Sequence, residues 1–135
     1  MAVIDTSAYV SWAIATDANH YAAQAWIGQA LRRRESIAAP WILAAEVASA
    51  VTRNTGDITL AVQVVHTLTS AGLVHLVPVG PVLAQQAAMI AAQFRIRGCD
   101  AIFVALAAST GETLVTFDKQ QATRAAAVVA VHQPN

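Results

Sequence analysis

Short, continuous apolar runs alternate along this chain with longer segments in which apolar residues return every three or four positions. Runs of the first kind suit strands buried on both faces, and segments of the second suit helices that bury one stripe. The opening A-V-I-D predicts a strand whose C-terminal end is Asp5, followed by a helix from about Ser7. Residues 18–34 predict a longer helix, with Arg32, Arg33 and Arg34 near its C-terminus, where cations suit the helix dipole. S-I-A-A predicts a second strand, and Pro40 suits the first turn of a helix that runs to about Arg53 and is stopped by Asn54 and Gly56. Asp57 is placed to cap a further helix to about Ala71, with Gly72 as its stop. L-V-H-L-V-P-V predicts a third strand, and Pro81 opens a helix ending at Gly98. Asp100 stands at an N-cap position ahead of A-I-F-V-A-L-A-A, and T-G-E-T then turns the chain into L-V-T-F, a strand ending at Asp118. A short helix and A-V-V-A-V, as a last strand, complete the alternation. Such alternation implies an α/β fold, a mostly parallel sheet with helices on both faces, in one domain spanning residues 1–135.

Composition narrows the function classes. Only 12% of residues are charged and the formal net charge is zero, which excludes a binder that holds nucleic acid by bulk positive charge. Any nucleic-acid contact is therefore expected to be local. Hydrophobic residues make up 56% of the chain, so a second subunit or another partner is expected to cover part of the surface, with a homodimer as the default. The one cysteine, Cys99, forms no internal disulfide and has no zinc-type Cys/His spacing around it, which suits a reducing cytoplasm. The opening segment has no basic stretch and meets Asp5 before an apolar core forms, so no signal peptide is expected. Residues 58–94 carry no Asp, Glu, Lys or Arg, yet Gln63, His66, Gly72 and the V-P-V-G-P turn interrupt them, and no membrane span is expected.

Four acidic side chains stand in apolar surroundings: Asp5, Glu46, Asp100 and Asp118. A charge buried without a partner is costly, so each needs an explanation. Helix N-capping is the ordinary one for Asp5, Asp100 and Asp118, and a solvent-facing stripe with Ser49 and Arg53 is the ordinary one for Glu46. The alternative is convergence. Asp5 and Asp118 both end predicted parallel strands, where open α/β sheets gather their ligands, and Asp100 opens the helix leading into the Asp118 strand. If the four meet, a hard divalent cation is the simplest partner, because no matching set of basic residues lies near them in sequence.

These residues resemble the PIN-domain ribonucleases, and among them the small VapC-like toxins of bacterial toxin–antitoxin pairs. The resemblance rests on V-I-D-T-S with Asp5, A-A-E-V-A-S-A-V with Glu46, C-D-A-I-F-V-A-L-A with Asp100 and L-V-T-F-D with Asp118, and it covers nearly the whole chain. A bulky residue often found shortly after the last motif is replaced here by Q-A-T. The resemblance implies a three-layer α/β/α sandwich, a Mg²⁺ site that Mn²⁺ also fills, metal-dependent cleavage of RNA, and inhibition by a cognate antitoxin protein.

On that reading Asp5 and Asp100 are the leading metal ligands, with Glu46 and Asp118 as further ligands or water-orienting groups. Thr116 matches the hydroxyl residue that such domains carry two places before the last acid, and joins the four as a catalytic-site candidate; its alternative role is that of a β-branched strand residue. Ser7 is read as a helix-start hydroxyl. Arg53, Arg95, Arg97, Lys119 and Arg124 are candidate phosphate contacts, with Arg53 favoured because it shares the Glu46 stripe. Asp5 and Asp100 are expected to be nearest neighbours, with Glu46 reaching in from mid-helix. A PIN-like module that binds RNA or protein with weak catalysis is the competing function; the four intact acids argue against it. Another phosphoryl-transfer enzyme is disfavoured by the absence of a G-x-x-x-x-G-K-[ST] loop.

Overall fold

A computed structural model describes residues 1–135. Its elements follow the order β1 (Ala2–Ile4), α1 (Thr6–Ala13), α2 (His20–Arg32), β2 (Ile37–Pro40), α3 (Leu43–Thr55), α4 (Ile58–Ser70), β3 (His75–Val77), α5 (Pro81–Phe94), α6 (Gly98–Thr110), β4 (Thr113–Val115), α7 (Lys119–Ala125) and β5 (Val131–His132). The five strands form one sheet in the order β3-β2-β1-β4-β5, and every neighbouring pair is parallel. The fold is thus an α/β/α sandwich, with the sheet wholly rather than mostly parallel.

The apolar runs take the centre because parallel strands are covered on both faces. Val3, Ile4, Ala39 and Leu114 are fully buried in strands β1, β2 and β4. Helix α6 packs on β1, β2 and β4 and against α5, so Ala101 and Phe103 through Ala107 are all buried. Elsewhere α1 packs on α2 and α3, and α3 on α4, burying Leu43, Val47 and Val51 at the four-residue spacing that one helix face requires. No helix is long and apolar enough to cross a membrane.

Four expected boundaries shift. Pro40 ends strand β2, opposite Val77, and α3 starts only at Leu43. The last β1–β2 pair is Val3 with Ala38, so the missing proline N–H falls beyond that ladder and costs it no bond. Helix α5 stops at Phe94 rather than at Gly98, because Arg95 takes a left-handed conformation (φ 54°) that turns the buried Ile96 inward. Helix α6 then begins at Gly98, which puts Asp100 inside its first turn and not at its N-cap. Finally, the A-V-V-A-V run is mostly a turn, and only Val131 of it belongs to β5.

Leu114 lies at the middle of β4, fully buried and paired with Val3 on one side and Val131 on the other. Leu114→Ala should therefore destabilise the protein by about 2–5 kcal/mol, the range for truncating a core leucine. Urea unfolding measures it, and a loss under about 1 kcal/mol would mean that this strand is not the packed centre described.

Candidate active site

The chain runs from β1 outward to β2 and β3, then returns to the other side of β1 to form β4 and β5. The reversal leaves a crevice beyond the carboxyl ends of β1 and β4, the place where open parallel sheets bind ligands. Asp5 follows β1 directly, and Thr116 and Asp118 follow β4. Both strand ends are locked together, since the Asp5 amide donates to the Val115 carbonyl at 3.2 Å.

Asp5 is buried, and its carboxylate accepts three hydrogen bonds, which leaves a lone pair free on Oδ2. Oδ1 accepts from the Ala8 amide at 3.1 Å and from the Ser7 hydroxyl at 2.6 Å, while Oδ2 accepts from the Thr116 hydroxyl. Burial nevertheless dominates: it pushes the Asp5 carboxyl up to about 6, against the lowering effect of those three hydrogen bonds, and the nearby Asp100 charge adds to the rise.

Two hydroxyls organise the rest. Thr116 is fully buried; besides donating to Asp5, its Oγ1 accepts from the Asp118 amide at 3.0 Å. Ser7 Oγ lies 3.2 Å from Thr116 Oγ1 and accepts from the Phe117 amide at 2.8 Å. Ser7 is therefore more than the helix-start hydroxyl expected of it, because it ties the start of α1 to the chain leaving β4. A hydroxyl near a helix start carries no local mark of such a distant bond.

Capping and convergence turn out to be compatible. Asp5 caps α1 through Ala8, and Asp118 caps α7 by accepting from the Gln120 and Gln121 amides at 2.9 and 3.1 Å. Yet Asp5, Glu46, Asp100 and Asp118 also line one open cavity of about 360 Å³. Glu46 reaches it from the first turn of α3, not from mid-helix, since that helix starts later than its proline suggests. Asp100 reaches it from the first turn of α6. Buried Gln121 ties α7 to the start of α6, its Nε2 donating to the Asp100 carbonyl at 3.3 Å; it belongs to the Q-A-T segment that departs from the family pattern.

Among the basic residues, Arg53 lines this cavity beside Glu46, and Arg97 lines it beside Asp100. Arg97 Nε donates to Asp100 Oδ2 at 3.1 Å, an ion pair that the sequence reading did not foresee. Arg124 faces an adjoining small cavity, whereas Arg95 and Lys119 line neither. Cys99, next to Asp100, is exposed; partial desolvation and the neighbouring Glu46 and Asp100 carboxylates push its thiol up.

The donor set is all oxygen, which suits a hard cation. No three Asp, Glu, His or Cys side chains stand close enough to ligate a single ion directly. A hard cation at this place would be held by one or two of the carboxylates and by water.

A sequence profile of the PIN domain matches residues 2–127. No curated protein matches the chain. Among solved structures, Mycobacterium tuberculosis VapC20, described as a sarcin–ricin loop cleaving toxin, superposes with a TM-score of 0.75 at 19% identity, covering 91% of this chain and 94% of that one. A Klebsiella pneumoniae toxin–antitoxin complex contains a chain that superposes with a TM-score of 0.71 at 18% identity, covering 100% and 98%. Rickettsia felis VapBC2, bound to a DNA fragment from its promoter, gives 0.71 at 13% identity over 98% of both chains. At such identities the likeness is one of fold.

A raised Asp5 pKa links protonation to folding. Its stabilising effect is complete below the unfolded value near 3.8 and is lost as pH rises through about 6. In EDTA, Asp5→Asn should therefore be more stable than wild type above pH 6, by up to roughly 3 kcal/mol, with the difference shrinking toward pH 4. Denaturant titrations across that range test it; equal pH dependence in the two proteins would show that Asp5 is not desolvated. Thr116→Val should push Asp5 higher still, visible as a shift of its carboxyl titration by NMR, because it removes one of the bonds that hold the pKa down.

Proposed function

The chain belongs to the PIN-domain family, and on that premise we propose that it is a metal-dependent endoribonuclease and the toxin of a toxin–antitoxin pair. The observation that carries this reading is the meeting of Asp5, Glu46, Asp100 and Asp118 at one cavity where the sheet reverses its strand order. Four carboxylates facing a polyanionic substrate make chemical sense only with a cation between them. Asp5 and Asp100 would hold Mg²⁺ or Mn²⁺, directly or through water, with Glu46 as an acceptor for coordinated water and Asp118 doing the same or ligating a second ion. A cation bound there supplies two things, a lowered pKa for a coordinated water and charge to offset that building on the phosphate.

The protein's own groups set the geometry. Ser7, Thr116 and the Ala8 amide fix both Asp5 oxygens, so this carboxylate is oriented before any ligand arrives. Thr116 couples Asp5 to the backbone of Asp118, which makes the two strand-end acids a single positioned unit. Glu46 is half-buried on α3 and has the reach to accept a proton from, or orient, an attacking water. Arg53, exposed at the rim, is placed to take a neighbouring RNA phosphate.

The same reading includes partners. Exposed Ile58 and Val62 lie one turn apart on α4, and Val82 and Met89 are exposed on α5, which supports coverage by a second copy and by an antitoxin. A cytoplasmic location, where RNA and a reduced Cys99 coexist, goes with this role.

Purified protein should cleave single-stranded RNA with Mg²⁺ or Mn²⁺ and stop in EDTA. Asp5→Asn and Asp100→Asn should each lower the rate by at least about a hundredfold while remaining folded. Undiminished cleavage in EDTA, or by either variant, would refute the assignment. A small antitoxin should be encoded beside this chain, co-expression of the two should yield a stable complex that no longer cleaves, and light scattering should show at least a dimer.

A further inference from the structure

Arg97 stands in an unusual position. It is the one basic residue shared by the acidic cavity and a second, smaller cavity of about 170 Å³, whose lining includes Asp100, Asp118, Gln120, Gln121 and Arg124. Its guanidinium pairs with Asp100 through a single Nε contact at 3.1 Å, while the side chain remains 78% exposed. Asp100, Asp118 and Glu46 all favour its charged form, Asp100 most strongly. The pairing is therefore that of a tethered cation resting at the edge of an acid cluster.

The Arg97 backbone is fixed as the N-cap of α6, its carbonyl accepting from the Ala101 amide at 2.8 Å, but the side chain is held only by the one contact to Asp100. The residue precedes α6, outside any helix, with Gly98 next and the left-handed Arg95 two residues before. An exposed pair of this kind contributes only about 0.2–1 kcal/mol, whereas a divalent ion brings twice the charge to the same carboxylate. A cation arriving at Asp100 therefore outcompetes the guanidinium and repels it. The adjoining cavity is the nearest place for it to go, and Arg124 with the Gln120 and Gln121 side chains supplies donors there that suit a phosphate oxygen.

We propose that Arg97 is the site's built-in counter-ion: it occupies Asp100 until a divalent cation displaces it, and then binds an RNA phosphate in the small cavity beside Arg124. This rests on the metal-dependent ribonuclease reading above. It adds a second phosphate subsite, in the smaller cavity that Asp100 and Asp118 also border, and an exchange that couples cation binding to RNA binding.

The test measures two affinities separately in wild type, Arg97→Ala, Arg97→Lys and Arg124→Ala. Mn²⁺ binding is followed by the loss of its free-ion EPR signal. RNA binding is followed by fluorescence anisotropy of a short phosphorothioate-linked single-stranded oligonucleotide in saturating Mn²⁺. Both arginines are exposed, so the variants should fold. Arg97→Ala should bind Mn²⁺ about fivefold more tightly and RNA about fivefold more weakly, the scale of one exposed ion pair. Arg124→Ala should weaken RNA alone, and Arg97→Lys should restore RNA binding in part. Unchanged Mn²⁺ affinity in Arg97→Ala would overturn the exchange, and unchanged RNA affinity would overturn the phosphate subsite. Tighter Mn²⁺ binding in Arg97→Ala from a wild type that neither binds nor cleaves RNA would uphold the exchange and refute both the subsite and the ribonuclease reading. Failure of the wild type to bind Mn²⁺ at all would remove both.

Discussion

One desolvated carboxylate governs this molecule. Asp5 sits where the central strand gives way to the first helix, and it is buried among groups that could not otherwise be brought together. Its oxygens collect a backbone amide from α1, a hydroxyl from α1 and a hydroxyl from beyond β4. Removing any of them leaves a charge in an apolar core with less to hold it, at a cost far above that of an exposed pair. The geometry of the site is thus enforced by the penalty for getting it wrong, and the folding of this corner and the shaping of the pocket are one process.

Thr116 and Ser7 extend that constraint outward. Thr116 donates to Asp5 and accepts from Asp118, so a change at one strand end is felt at the other through a single oxygen. Ser7 does the same through Phe117. Glu46 and Asp100 are attached differently. Each projects from the first turn of its own helix without a comparable web, and Asp100 has only Arg97 as a side-chain partner. The site divides into a rigid half at the strand ends and a more adaptable half on α3 and α6, a division suited to gripping a ligand that must enter and leave.

Much of this was readable from the sequence, and the reasons are local. An apolar run followed by an acid and a hydroxyl marks a buried strand feeding a capped helix, which located Asp5 and Asp118 at strand ends. The three- and four-residue spacing of Glu46, Ser49 and Arg53 marked a polar stripe on α3, but periodicity did not decide whether it faced solvent or the crevice. What stayed hidden depends on contacts between distant residues. Ser7 and Thr116 are 109 positions apart, and no local signal records their meeting. Pro40 suits both a helix start and a strand end, and only the pairing with β3 decides between them. Ala126 through Val129 are apolar enough for a strand, yet hydrogen bonds from the Val128 and Val129 amides to the Ala125 carbonyl fold them into a turn. Arg97 read only as a candidate phosphate contact, because its pairing with Asp100 is visible only once α6 is seen to begin at Gly98.

The double duty of Asp5 and Asp118 has a consequence for how such a chain can change over generations. Each is both a pocket acid and a helix cap, and asparagine caps a helix about as well as aspartate does. A single-base transition converts an Asp codon to Asn, so a descendant can lose its negative charge at either strand end while keeping the helix start intact. Alanine would sacrifice both at once. If the site works as proposed, the accessible mutational route out of it leads to a folded, silent relative, and such relatives should arise from this scaffold more readily than unfolded remnants.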